Sequence, residues 1–202
     1  MLVEPGSLSV FDKTVGQESA TLDDMNSRDH FHAAAEPFTD VVEAVPVDAW
    51  SSPSPCEGWS AKDVVDHVIT TQNDCLAGQQ LPTVTVQGDP AEQWRTQRTH
   101  VAELLADPTI ADREYDGAMG RTTIGATLGT FYGFDLIVHR WDVARAVGTD
   151  TQFTDDELEL LESSIAGFGD HLYAEGICRP PVTVDPDASR QRRVLGLLGR
   201  TA

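Results

Sequence analysis

Between Phe31 and Val45 the chain repeats apolar residues at three- and four-residue steps: Phe31, Ala34, Ala35, Phe38, Val41, Val42 and Val45. That spacing follows one face of an α-helix and predicts an amphipathic helix ending before Pro46. The prolines and glycine of SSPSPCEGWS then interrupt regular structure. Ser60 predicts the start of a second helix, since its side chain can cap free amides. Asp63, three residues on, suits the positive end of the helix dipole. Val64, Val65, Val68, Ile69 and Leu76 supply the buried face. LPTVTVQGDP reads as a loop or short extended link. A third helix is expected from Pro90 to about Ala106, around Trp94, Val101, Leu104 and Leu105.

Residues 107–121 read as a long, turn-rich connection. From about Thr122 to Val147 comes the longest and most apolar helix, with Gly148 suited to its stop. A fifth, about Asp155 to Tyr173, repeats Leu158, Leu161, Ile165, Phe168 and Leu172. The end, CRPPVTVDPDASRQRRVLGLLGR, predicts a short extended piece and a small closing helix. Before all this, Met1 to about Asn26 carries few regularly spaced apolar positions and is expected to form a loosely packed tail. The expectation is a single domain over 27–202. Helices joined by loops, with almost no alternating pattern, make it an all-α bundle.

Composition narrows the partners. The 202 residues are 40% hydrophobic with four Trp, enough to fill a core. The 33 Asp+Glu outnumber 14 Lys+Arg, giving a net charge of -19 that opposes nucleic acid and anionic membranes alike. No apolar run approaches the roughly 18–20 residues that a spanning helix needs. The start, MLVEPGSLSV, lacks the basic and apolar stretches of a secretory signal. Cys56, Cys75 and Cys178 are odd in number and widely spaced, so no disulfide framework is implied and a reducing cytoplasm is expected.

The chemistry concentrates in FYGFDLIVHRWDVARAVG. On a helix, Asp135, His139 and Asp142 fall within roughly 60° of one another. Leu136, Ile137, Trp141, Val143 and Ala144 make most other sides apolar, so the helix is central and its acid–His–acid stripe points inward. Buried ionised groups need partners, and a divalent cation clasped by an acid and a His four residues later is one solution. A hydrogen-bonded His–Asp pair in the core is the other, and the spacing leaves both open. His67 also follows an acid, Asp63, by four residues; it reads as a boundary histidine that a bundle can bring opposite His139. Cys56 lies ahead of a helix start but has no deducible His partner. Trp59 and Trp141 read as core aromatics that can border a pocket, and Arg140 and Arg145 as solvated charges. There is no Gly-rich phosphate loop, paired CxxC or HExxH.

Three passages resemble one family. PCEGWSAKDVVDHV is similar to the loop-plus-helix signature of the DinB-like superfamily, in its mycothiol-dependent maleylpyruvate isomerase-like branch. DLIVHRWDVARAVG is similar to that branch's metal-binding helix, and PPVTVDPDASRQRRVLGLLGR to the closing segment of its short actinobacterial members. The resemblance covers about Arg28 to Arg200. It implies a DinB-like four-helix bundle with a divalent metal, usually zinc, held by His67 of the second helix and Asp135 and His139 of the fourth. Nickel, iron and manganese are the other candidates. Asp142 would support a ligand from behind. The resemblance further implies mycothiol as cosubstrate, in transfer to or isomerisation of a small electrophile, and exposed faces that pair into homodimers. The isomerase itself has Glu in place of Asp135 and a sizeable C-terminal domain where this chain has a short extension.

Three other readings stand beside that one: a metal-dependent small-molecule hydrolase, a non-catalytic metal- or ligand-binding stress-response module, and a metal-free polar core.

Overall fold

A computed structural model of the chain describes residues 26–117, 120–174 and 177–201. The tail expected before Asn26 lies outside the described residues. Helix α1 (Ser27–Glu43) starts one turn before the apolar repeat, because the Asn26 side chain accepts from the amides of Arg28 and Asp29. Helix α2 (Ala61–Gly78) opens on a reciprocal box between Ser60 and Asp63, and α3 (Pro90–Leu105) on one between Asp89 and Glu92.

The connection after α3 holds more order than its turn residues predict. A short α4 (Pro108–Ala111) leads into an antiparallel hairpin of β1 (Glu114–Gly117) and β2 (Gly120–Thr123), with Glu114 opposite Thr123. Strands of four residues are too brief for an alternating pattern to reveal. The long helix expected from about Thr122 is a compound one. It comprises α5 (Ile124–Ala126), a π-helical stretch Thr127–Phe131 and α6 (Tyr132–Ala146). Helix α7 (Asp155–Phe168) tightens into a 3-10 turn, Gly169–Tyr173, and α8 (Arg190–Leu197) closes the chain.

The fold is all-α, with α1, α2, α3 and α6 forming a ring of neighbours. Helix α1 packs on α6 and α3, and α2 packs on the same two from the other side. Helix α6 is the axis of the assembly: every residue from Leu136 to Ala144 is buried. Phe31, Phe38, Trp94, Leu128, Leu136 and Trp141 fill the space between the helices. Phe38 meets Trp94 edge-on at 4.8 Å, and the Trp94 indole N–H donates to Thr39 Oγ1 at 2.8 Å. No described helix is long and apolar enough to cross a membrane.

Arg140 departs from the solvated role expected of it. It is 3% exposed, because α7 packs on α6 and places Glu157 against it. The guanidinium donates to both Glu157 carboxylate oxygens, at 2.7 and 2.8 Å, and to the Gln152 carbonyl at 3.2 Å. Glu157 also closes the cap of α7 with Thr154. Replacing Glu157 with Ala leaves a buried cation without its partner. A loss of about 3–5 kcal/mol is expected, read as a lower urea midpoint with an unchanged slope.

Candidate metal centre

Asp135 and His139 are one turn apart on α6, so their side chains share a face. The packing of α2 against α6 brings His67 across to them. His139 Nε2 lies 3.2 Å from Asp135 Oδ1, and His67 Nε2 lies 3.9 Å from Asp135 Oδ2. The two imidazole rings sit edge to face, 5.2 Å between centres. One donor atom from each of the three residues falls within 4.8 Å of the other two. A tetrahedral ion with bonds of about 2.0–2.1 Å holds its donors roughly 3.4 Å apart. Two nitrogens and a carboxylate at these separations are a donor set that a divalent ion such as zinc fits.

Burial grades across the cluster. The His67 and Asp135 side chains are 32% and 25% exposed, whereas His139 is 7% and Asp142 not at all. The cluster therefore has a closed side, toward Asp142, and an accessible side, toward His67. Closure comes partly from the loop between α1 and α2. Ser54 N–H donates to the Trp59 carbonyl and Trp59 N–H to that of Cys56, a tight ring through Gly58, whose φ of +80° suits a residue without a Cβ. The ring sets the Trp59 indole against both imidazoles, 4.8 Å from His67 and 6.3 Å from His139 between centres.

Behind His139 stands Asp142. Its Oδ2 accepts from His139 Nδ1 at 2.9 Å, which directs Nε2 toward the accessible side. Asp142 also accepts from Arg200, whose Nη2 lies 2.8 Å from Oδ2 and whose Nε lies 3.3 Å from Oδ1. The Cys56 thiol donates to the same carboxylate at 3.3 Å. Arg200 reaches inward because Gly199, at φ +74°, turns the chain back after α8, in a space where a Cβ would sit 2.6 Å from Arg179. Cys56, His139 and Asp142 thus form a second close group, but its carboxylate is already engaged by the guanidinium.

Protonation follows from these contacts. Burial lowers the His67 value, with the nearby His139 adding to it against the pull of Asp135, so His67 favours the neutral form a metal ligand needs. Burial opposes charge on His139 as well, but Asp135 and Asp142 outweigh it and hold the imidazole well above its ordinary value. Burial likewise works against the Asp135 carboxylate, yet His139, His67 and Arg200 keep it below the usual range. Asp142 is also held below the usual range: Arg200 and His139 overcome its complete burial.

Four residues singled out in the sequence, His67, Asp135, His139 and Asp142, are thus neighbours in space. The tertiary structure adds Trp59, Cys56 and Arg200. A charged residue directly after a helix-stopping glycine was the available signal for Arg200, and it carries no information about its distant partner. His30, His32, His100 and His171 take no part in the cluster.

Residues 31–144 match the family described as the mycothiol maleylpyruvate isomerase N-terminal domain. The match spans more than half of the chain and includes α2 and α6 as far as Ala144, so the protein belongs to this family. Neither a curated protein nor a solved structure matches the chain. Arg200 and Cys178 lie beyond the matched span, whereas Cys56, His67, Asp135, His139 and Asp142 lie within it.

Arg200→Ala should leave the fully buried Asp142 carboxylate without its guanidinium, with only His139 and Cys56 as donors. The expected loss is about 3–5 kcal/mol by urea denaturation. Arg200→Lys should recover only part, because a single ammonium cannot reproduce the two-nitrogen contact with Asp142.

Proposed function

We propose that the protein is a divalent-metal-dependent enzyme that uses a low-molecular-weight thiol, mycothiol, to transfer it to, or isomerise, a small electrophile. The observation that carries this reading is the convergence of His67, Asp135 and His139 on one point with a closed and an accessible side. His67 Nε2, His139 Nε2 and a carboxylate oxygen of Asp135 would hold the ion, proposed as zinc, with nickel, iron and manganese the alternatives that this donor set also suits. When bound, such an ion supplies Lewis acidity that stabilises a thiolate at neutral pH.

The rest of the work falls to the chain. Asp142 holds the His139 proton at Nδ1, so the proton that a bound ion would displace is the one at Nε2, beside Asp135 Oδ1. Arg200 fixes Asp142 in turn. Trp59 covers the two rings and limits water on that flank. The partial exposure of His67 and Asp135 leaves room for a small thiol and its electrophile to approach from one direction. The family's mycothiol association supports the choice of thiol.

Metal analysis of protein purified without a His tag tests the first half. About one divalent ion per chain is expected, lost in His139→Ala and bound about 10–100-fold more weakly in Asp142→Asn. Wild-type protein that neither carries nor takes up zinc would overturn the reading and return the stripe to a polar core. The second half is read from mycothiol consumption with a panel of electrophiles, before and after chelation. Turnover that needs metal but no thiol would make the protein a hydrolase. Metal without turnover under either condition would make it a binding module.

A further inference from the structure

Two of the three cysteines, far apart in sequence, meet at one guanidinium. Arg200 Nη2 lies 3.6 Å from Cys56 Sγ, and Arg200 Nη1 lies 3.7 Å from Cys178 Sγ. Their neighbours in sequence are also paired, Arg179 Nη2 lying 3.4 Å from Glu57 Oε2. The loop ahead of α2 and the segment ahead of α8 are therefore held side by side, with a thiol from each beside the same cation. Both cysteines are half-buried and unpaired, and neither lies in a helix or strand. Cys75 stands apart in α2.

We propose that Cys56 and Cys178 form a reversible dithiol–disulfide site that is oxidised by exchange with a low-molecular-weight disulfide. The Cys56 thiolate attacks one sulfur of the small disulfide, forming a protein–small-thiol bond and releasing the other half as a thiolate that takes up the Cys56 proton. The Cys178 thiolate then attacks the Cys56 sulfur. A Cys56–Cys178 bond forms, and the second small thiolate leaves and takes up the Cys178 proton. Two protein thiols are oxidised and one small disulfide is reduced to two thiols.

Burial pushes the Cys178 thiol above its ordinary value, despite Arg200 beside it. Cys178 therefore makes the second, intramolecular attack, where proximity raises the effective concentration of its thiolate. Bond formation also changes what Arg200 touches, since its two sulfur neighbours are drawn toward each other at the nitrogens that now separate them.

The full-length reduced protein, incubated with excess glutathione disulfide, provides the test. Free thiols should fall from three to one, with no retained glutathione, and non-reducing peptide mapping should join the Cys56 and Cys178 peptides. The Cys178→Ser variant should instead retain one glutathione on Cys56, since the closing thiol is gone. Dithiothreitol should restore all three thiols to the wild type. Mixed disulfides that persist on the wild type, a link that includes Cys75, or three thiols left unreacted would each overturn the proposal. The readout is sulfur connectivity alone, so it is independent of whether the protein binds metal or turns over a substrate.

Discussion

A carboxylate removed from water must be answered by donors, and Asp142 collects them from three separate parts of the chain. His139 donates from the preceding turn of α6, Cys56 from the loop between α1 and α2, and Arg200 from the end of the chain. Together these contacts answer a charge whose desolvation would otherwise cost several kcal/mol. The demand of this one buried group thus ties the closing segment and the α1–α2 loop to the central helix. It also fixes which nitrogen of His139 faces outward. The same charge balance that stabilises the local packing sets up the chemistry of the candidate metal centre.

The bundle around it provides two further conditions. Helix α6 is buried along an unbroken run from Leu136 to Ala144, and Asp135, just ahead of that run, is partly exposed beside His67 of α2. A donor cluster in such a seam is held by helices on both sides and is therefore more rigid than one on a loop. Arg140 illustrates the same rule without any chemistry. It too lies on α6, and α7 supplies Glu157 to meet it. One helix therefore carries two buried ionic arrangements, one closed by α7 and the other open on the α2 side.

Membership of the mycothiol maleylpyruvate isomerase N-terminal domain family covers the helices that present His67, Asp135 and His139. The residues that support them from behind extend past the matched span, to Arg200. The short segment after α7 is consequently more than an appendage. It packs α8 against α7, and through Gly199 it returns a cation to the base of the cluster.

Much of the fold was legible in the chain because helices declare themselves locally. The 3.6-residue repeat from Phe31, the Ser60–Asp63 start of α2 and the apolar sides of α6 each depend on residues within a few turns of one another. The His–acid stripe of α6 was legible for the same reason, since Asp135, His139 and Asp142 share one helix. The hairpin was hidden because strands of four residues carry too short a period, and the fate of Arg140 because nothing near it in sequence announces Glu157. Which way His67 faces, what lies beyond Asp142 and which thiols meet were likewise decided only when the helices packed. These are contacts between residues 22 to 144 positions apart, and no local periodicity encodes them. The sequence by itself determined the helices and the stripe; the tertiary structure decided the partners, because a buried charge is satisfied by whatever the fold brings to it.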